Sequence, residues 1–205
     1  MALTIEEVYD KISTQFNSTR HRIWKSVKYF LDSLESESKV LEIGCGNGKN
    51  MLYRNDLHFT GIDISQGQVD ICKKKNLNVY KENMTNLSFG NTSFDNIICI
   101  ATYHHLDNDN DRRKALDEIY RVLKVGGKVL ITVWSMEQES DSNFSFNSSD
   151  TMVPWKCRTD GITYQRYYHI YKKGELEEEI SRLCPSFKVG DLVLELGNWC
   201  VVLEK

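Results

Sequence analysis

Residues 42–49 read Glu-Ile-Gly-Cys-Gly-Asn-Gly-Lys and close the short apolar run 39–43. An apolar run broken by three glycines predicts a buried strand that turns sharply into a helix, here near 48–54. Glycine permits positive φ and lets a ligand approach the backbone, and a helix N-terminus offers free N–H groups. The dinucleotide fingerprint GxGxxG requires glycine where this chain has Lys49. The spacing therefore favours a ligand without a pyrophosphate, with a simple tight turn as the alternative.

A second polar feature follows on the next predicted strand. Asp63 ends the run 58–63, at the point where consecutive parallel strands would present their carboxyl ends. A carboxylate at such a strand tip can accept both hydroxyls of an unmodified ribose. The alternative is a helix N-cap, since Ser65 and Gln66 follow. We favour the ribose role because the acid lies at the predicted ligand crevice.

Hydrophobic periodicity alternates between helices and strands along the chain. The predicted helices cover 4–16, 22–34, 66–75, 111–123 and 173–183. The predicted strands cover 39–43, 58–63, 77–82, 95–100 and 128–134, followed by a hairpin of 186–196 and 199–204. This order predicts an α/β fold with a doubly wound parallel sheet, helices on both faces and a C-terminal antiparallel hairpin.

The length of 205 residues suits a single domain, 1–205. We divide it into N-terminal helices (1–36), a cofactor-binding core (37–138), a polar loop with a substrate-side segment (139–172), and a C-terminal helix and hairpin (173–205).

Composition narrows the classes of function. The net charge of -3, from 26 basic and 29 acidic residues, provides no whole-chain basic field, so a nucleic-acid substrate would need a local basic surface or a partner. No apolar run can span a membrane and no signal sequence precedes the first helix, which predicts a cytoplasmic protein with possible nuclear access. The six cysteines form no CxxC pair, so we expect reduced thiols and no metal site. The charges at 111–114 and the glutamates between 175 and 179 are predicted to be solvated.

Four stretches together resemble a known family. They are VLEIGCGNGK (40–49), GIDIS (61–65), SFDNIICIATYHHL (93–106) and RVLKVGGKVLITVW (121–134). In this order they resemble the motifs of class I S-adenosylmethionine-dependent methyltransferases. The resemblance implies a seven-stranded Rossmann-like sheet and S-adenosylmethionine as the cofactor.

The same resemblance implies a set of cofactor contacts. The three glycines would line the methionine end, Asp63 would hold the ribose, and Asn83 with Met84 would border the adenine. Asn83 stands where the family often has Asp, and its amide could still pair with the adenine amine. The implied cofactor-binding residues are Glu42, Gly44, Gly46, Gly48, Asp63, Ile64, Asn83, Met84 and Ala101.

The flanking segments resemble the eukaryotic tRNA wobble-uridine carboxymethyl methyltransferases. The resemblance rests on the pattern from Tyr9 to Trp24, Tyr-His-His-Leu at 103–106, Val-Pro-Trp at 153–155 and Tyr-Gln-Arg-Tyr-Tyr-His at 164–169. It implies methyl transfer to the carboxylate of 5-carboxymethyluridine in an anticodon, giving the methyl ester. The chain departs from the family in the loop 139–151, which is short and acidic here.

A carboxylate is already ionised at pH 7, so this chemistry requires no strong general base. The enzyme must instead orient the carboxylate and remove its water, which calls for a cationic or hydrogen-bonding cage and an aromatic platform for the base. The candidate catalytic residues are Arg20, His105, Trp134, Arg166 and Tyr167. Each of these residues could instead have a structural role. The histidine could be hydrogen-bonded within the protein, the arginines could form ordinary ion pairs, and the aromatic residues could pack in the core.

Two other functions stay open, a small-molecule O- or carboxyl-methyltransferase and a catalytically idle scaffold of the same fold. The expected partners are a tRNA anticodon loop and a small zinc-binding activator protein, which the family resemblance implies. The segment 77–82 would be the free edge of the implied sheet and could accept a strand from that activator.

Overall fold

The computed structural model describes residues 3–139, 142 and 144–205. The helices are α1 (Ile5–Thr19), α2 (Lys25–Asp32), α3 (Gln66–Lys73), α4 (Asp109–Val122) and α5 (Glu175–Leu183), with a 3₁₀ turn at Tyr103–His105. The strands are β1 (Lys39–Ile43), β2 (His58–Asp63), β3 (Val79–Lys81), β4 (Phe94–Ile100), β5 (Leu123–Trp134), β6 (Asp150–Lys156), β7 (Thr163–His169), β8 (Lys188–Glu195) and β9 (Asn198–Glu204). None of the described helices is long and apolar enough to cross a membrane.

The main sheet has seven strands in the order β3-β2-β1-β4-β5-β9-β8. Strands β1 to β5 run parallel, and β9 is antiparallel to both β5 and β8. This confirms the doubly wound sheet, the C-terminal hairpin and the prediction that β3 is an edge strand. The strand order reverses between β1 and β4, which is where open α/β sheets bind ligands.

Helices cover both faces of the sheet because side chains alternate along each buried strand. Leu41 and Ile97 pack in one cluster with α4 and α5, whereas Val40 and Ile98 pack in another with α2. This confirms the predicted layers and leaves the carboxyl ends of the strands free for a site.

The predicted helix near 48–54 is wrong, because these residues form turns. Gly46 and Gly48 have positive φ, and Asn47 Oδ1 accepts from the Lys49 N–H at 3.3 Å, a local bond that competes with a helix. Two further amide bonds tie the turn to other parts of the chain. The Asn47 amide donates to the Arg20 carbonyl at 2.8 Å, and the Asn50 amide donates to Glu42 at 2.7 Å. No helix N-terminus therefore follows the glycine turn.

A second sheet, formed by β6 and β7, lies within the predicted polar loop and substrate-side segment, 139–172. Along β7, Tyr164, Arg166 and Tyr168 are buried, as expected for alternate residues on one strand face. The spacing of the aromatic residues in this segment fits one face of a strand or of a helix equally well, so the spacing alone did not predict a strand.

Two charged residues predicted to be solvated are buried. The Arg112 guanidinium lies 3.0 Å from Glu179 Oε2, and the hydroxyls of Tyr103 and Tyr171 donate to Glu179 Oε1 at 3.1 and 2.9 Å. The helix faces of α4 and α5 meet here, and pairing makes burial of both charges tolerable. The network holds the turn that begins at Tyr103.

Candidate functional site

A cavity of about 950 Å³ lies over the carboxyl ends of the parallel strands. Its walls come from α1, the glycine turn, the residues after β2 and β4, and the strand β7. The volume is at the upper end of the roughly 300–1,000 Å³ that small-molecule sites occupy, so it can hold a cofactor and a second group.

The glycine turn forms one end of this cavity. Gly44 and Gly46 have φ of 68° and 53° and line the cavity. A Cβ on Gly44 would lie 2.1 Å from Thr102 Oγ1, so only glycine permits this close approach of the turns after β1 and β4. Gly48 does not line the cavity, since a Cβ there would lie 2.3 Å from Leu77 Cδ1 beneath α3.

Asp63 is buried at the tip of β2 and holds the glycine turn. The Gly46 N–H donates to Asp63 Oδ2 at 2.8 Å, and the Ser65 N–H donates to Oδ1 at 2.9 Å. Burial raises the pKa of Asp63 to about 6, although these two bonds favour the charged form. The hydroxyl of Ser65, not Asp63, accepts from the Gln68 N–H as the N-cap of α3. Asp63 lines the cavity with free lone pairs, as a ribose ligand requires.

Two neighbouring side chains present polar atoms without partners among the described residues. Glu42 Oε1 accepts from Asn50, but Oε2 is buried with no partner, and burial raises the pKa of Glu42 to about 8. Both amide atoms of the buried Gln68 also lack partners. Such groups are costly unless a ligand satisfies them. A buried carboxyl oxygen without a hydrogen-bond partner fits an ammonium group, so these residues suit the methionine end of S-adenosylmethionine.

The adenine end differs from the expectation for Asn83. Its Oδ1 accepts both the N–H and the hydroxyl of Thr85 at 3.0 Å, so both lone pairs are used and only the NH₂ group is free to donate. The expected pairing of this amide with the adenine amine is therefore not available. Met84 and Ile64 line the cavity beside it. Ala101 also lines it, with a φ of 52° that is uncommon outside glycine and marks a strained turn.

At the other end of the cavity, one imidazole and two tyrosine hydroxyls form a chain of hydrogen bonds. His105 Nδ1 must donate to the Tyr167 carbonyl at 2.8 Å, which fixes the proton on that nitrogen. His105 Nε2 then accepts from the Tyr9 hydroxyl at 2.9 Å, and the Tyr168 hydroxyl donates to Tyr9 at 3.4 Å. Burial lowers the pKa of His105 to about 4, so the ring is neutral at pH 7. His105 contributes position and polarity, not charge.

The positive charge comes from two arginines. The guanidinium carbons of Arg20 and Arg166 lie 5.5 and 4.9 Å from the centroid of the Trp155 ring. Neither forms a salt bridge with any carboxylate in the described part of the chain, although Arg166 is only 4% exposed. Burial lowers the pKa of Arg20, with a further contribution from Arg166 nearby. Buried charges are normally paired, so this end of the cavity suits an anionic ligand.

The two remaining candidate residues are placed differently. Trp134 stacks on Tyr168, with ring centroids 4.4 Å apart and planes 24° apart, and both line the cavity. The hydroxyl of Tyr167 donates to Asp150 instead, and its backbone carbonyl supports His105. The structure thus brings Arg20, His105, Trp134 and Arg166 together, with Tyr168 in the place expected for Tyr167.

Tyr9 and Phe16 cover the cavity from α1, although neither was predicted as a site residue. Tyr9 binds His105, and Phe16 lies 3.1 Å from the position of a Cβ on Gly46. The Asp10 carboxylate accepts from the Ser65 hydroxyl and the Gly67 N–H, which fixes α1 across α3. The spacing of Tyr9 and Phe16 on one helix face was the signal that could have identified them.

Residues 41–131 match a family described as a methyltransferase domain. The tRNA (carboxymethyluridine(34)-5-O)-methyltransferase of Schizosaccharomyces pombe is 34% identical over 98% of this chain and 96% of its own length. A Xenopus tropicalis protein of the same name is 32% identical over 98% of this chain but 40% of its own length. The chain therefore spans less than half of that second relative.

Solved structures share the fold at low identity. A Pyrococcus horikoshii protein aligns over 97% of this chain and 98% of its own, with a TM-score of 0.73 and 18% identity. A Haloferax volcanii methyltransferase, solved in complex with a methyltransferase activator, aligns over 98% of this chain and 97% of its own, with a TM-score of 0.70 and 15% identity.

Proposed function

The chain belongs to the family of S-adenosylmethionine-dependent tRNA carboxymethyluridine methyltransferases, and from that premise we propose the reaction that it catalyses. It transfers a methyl group from S-adenosylmethionine to the carboxylate of 5-carboxymethyluridine at the wobble position of a tRNA anticodon, giving the methyl ester. The observation that carries this proposal is the pair Arg20 and Arg166, two guanidinium groups without a carboxylate partner at one end of the cofactor cavity.

The cofactor would lie between the glycine turn and Asp63. Gly44 and Gly46 leave room for its methionine end, Glu42 Oε2 would accept from its ammonium group, and Asp63 would accept from its ribose hydroxyls. The bound cofactor supplies an electrophilic methyl group on a sulfonium ion. The protein's task is to place an anionic oxygen in line with that methyl group.

No proton has to be removed from the substrate, because a carboxylic acid is ionised at pH 7. Neutral His105 fits this reaction, since both of its ring nitrogens are engaged in hydrogen bonds. Arg166 and Arg20 would bind the carboxylate in a site that excludes water, where charge-assisted bonds are strong. Trp134, which lines the cavity and is partly exposed, is an aromatic side chain against which the uracil can pack, and Tyr168 supports it from behind.

The test compares two nucleosides that differ only in charge at the reacting group. The protein should methylate 5-carboxymethyluridine and its tRNA but leave 5-carbamoylmethyluridine unchanged, as measured by mass spectrometry with S-adenosylmethionine. Methyl esters on a small acid without any on tRNA would favour the small-molecule alternative. The chain is a methyltransferase, so the idle scaffold is no longer a competing function.

An activator protein remains part of the proposal. The edge strand β3 is short, and Tyr80 on it is 48% exposed beside a second cavity of about 660 Å³ that Leu77 and Phe59 also line. A partner strand could pair there and cover these apolar groups. Co-expression with the activator should raise soluble yield and activity, and Tyr80→Asp should abolish co-purification. Val193→Asp on the opposite edge strand β8, also exposed, is the matched control. A zinc site in the partner and a cytoplasmic location stay predictions.

A further inference from the structure

One segment of the chain is unusually rich in positive charge. Residues 11–31 contain no Asp or Glu, although the chain as a whole has 29. Within this stretch lie Lys11, Arg20, His21, Arg22, Lys25 and Lys28. The net charge of -3 therefore conceals a local basic region.

The structure fixes the end of this segment at the mouth of the cavity. The Asn47 amide in the glycine turn donates to the Arg20 carbonyl, and Lys49 Nζ donates to the Arg22 carbonyl at 2.9 Å. Lys75 Nζ reaches the same turn from the end of α3 and donates to the Asn47 carbonyl at 2.6 Å. Arg22 and Lys49 line the cavity, Lys75 bonds to the same turn, and Lys25 and Lys28 follow Arg22 on the first turn of α2. We call Arg22, Lys25, Lys28, Lys49 and Lys75 the basic rim.

One carboxylate lies at the rim: Glu195 accepts from the Lys25 and Ser26 N–H groups at 2.7 and 2.9 Å. None of the five rim side chains forms a salt bridge with a carboxylate in the described ranges. Lys49 lies 5.8 Å from the centroid of the Trp24 ring and Lys28 lies 5.7 Å from that of Tyr53, so aromatic groups support the cations. Tyr29 beside them is 73% exposed.

We propose that the basic rim binds the phosphate backbone of the RNA on one side of the nucleotide that enters the cavity. The inference rests on the proposed function, since it takes RNA as the substrate. Arg22 lines the mouth of the cavity that holds Arg20 and Arg166. A target nucleotide in the cavity therefore brings its neighbouring phosphates to the rim. Exposed aromatic side chains between cations are the arrangement that single-stranded RNA favours.

The test reverses two exposed rim charges that make no hydrogen bond to the glycine turn. Lys25→Glu combined with Lys28→Glu, both outside the cavity lining, should weaken binding of an anticodon stem-loop roughly tenfold or more near 100 mM salt. The slope of log affinity against log salt should fall by about 2, roughly one for each lost phosphate contact. The matched control is Lys39→Glu with Lys188→Glu, two exposed lysines at the N-terminal ends of β1 and β8, on the side of the sheet opposite to the cavity, with the same change in net charge. It should change affinity less than twofold.

A substrate without phosphates distinguishes an effect on the basic rim from an effect on the catalytic site. With 5-carboxymethyluridine as a free nucleoside, the rim variant should methylate as well as the unchanged protein, and affinity for S-adenosylhomocysteine should be equal. An unchanged RNA affinity, or an equal loss with the nucleoside, would overturn the proposal. RNA binding with the expected salt dependence but no methylated carboxymethyl group would support the rim and overturn the proposed function.

Discussion

The two ends of the cavity are built differently. At the cofactor end, Gly46 and Ser65 already bond to Asp63, so the binding groups hold one another in place. At the substrate end, Arg20 and Arg166 come from segments far apart in the chain and meet on Trp155 without a counter-ion. The first end is preorganised by its own backbone, whereas the second is complete only when an anion enters. This difference predicts that mutations at the two ends separate binding of the cofactor from turnover.

The largest loss of activity is expected when a guanidinium group is removed from the substrate end of the cavity. Arg166→Ala should lower kcat/KM for methyl transfer by about 100-fold or more, because it removes charge-assisted bonds of roughly 1.5–3 kcal/mol each. Affinity for S-adenosylhomocysteine, measured by calorimetry, should stay within twofold. Arg166→Lys keeps the charge but loses the planar fork, so it should recover part of the activity. Equal losses of transfer and cofactor affinity would assign Arg166 a structural role.

The opposite pattern is expected at Asp63. Asp63→Ala should weaken S-adenosylhomocysteine binding by about 30-fold or more, at roughly 2 kcal/mol for lost bonds to a charged group. The pKa of about 6 adds a pH test, since affinity should fall as pH drops below 6 and the carboxylate is protonated. An affinity that is independent of pH between 7 and 5 would contradict the ribose assignment.

A substitution in the glycine turn tests the stability of the fold separately from cofactor binding. Gly48 lies outside the cavity, with φ of 72° and Leu77 directly beside it. Gly48→Ala should therefore lower the free energy of unfolding by about 1–3 kcal/mol, through strain at positive φ and crowding. Denaturant unfolding measures this value. Gly126→Ala is the matched control, because it has φ of 77° but nothing within 4 Å of a Cβ. It should cost less, and an equal cost would show that crowding is unimportant.

The smallest expected effect concerns a proton on Glu42. Its pKa of about 8 means that the free protein holds this carboxyl largely protonated at pH 7. An ammonium group beside Oε2 favours the charged form, so cofactor binding should release a fraction of a proton and strengthen as pH rises toward 8. Calorimetry in two buffers of different ionisation enthalpy measures the release, which Glu42→Gln should abolish.

The stability of the free protein should depend on pH in the opposite direction to its affinity for the cofactor. The pKa of Glu42 is raised above the value of the unfolded chain, so the free folded protein binds more protons than the unfolded chain. Its stability should therefore fall as pH rises from about 4.5 through 8, to the extent that Glu42 determines it. Glu42→Gln should flatten this dependence, and an unchanged slope would show that other groups dominate.

Local sequence was sufficient for most of the cofactor end. The glycine turn and the acid at the tip of β2 are each specified within a few residues, since strand ends and positive φ depend on nearby side chains. The exceptions are also local in cause. Asn83 bonds to Thr85, and Asn47 accepts from the Lys49 N–H in place of a helix, because short polar side chains compete with the backbone for partners.

Apart from the helix near 48–54, the sequence by itself determined the succession of helices and strands that form the main sheet, because periodicity and glycine placement act over short distances. The resemblance of its motifs identified the family and the cofactor. Only the tertiary structure decided that Tyr168 and not Tyr167 shares a face with Arg166, and that Tyr9 bonds to His105. It also decided that Arg112 and Glu179 are buried partners. The first depends on β7 forming a strand with β6, and the other two depend on contacts between residues far apart in the chain. The burial and pairing of these side chains determine their protonation states. A short stretch of sequence specifies neither the burial nor the pairing.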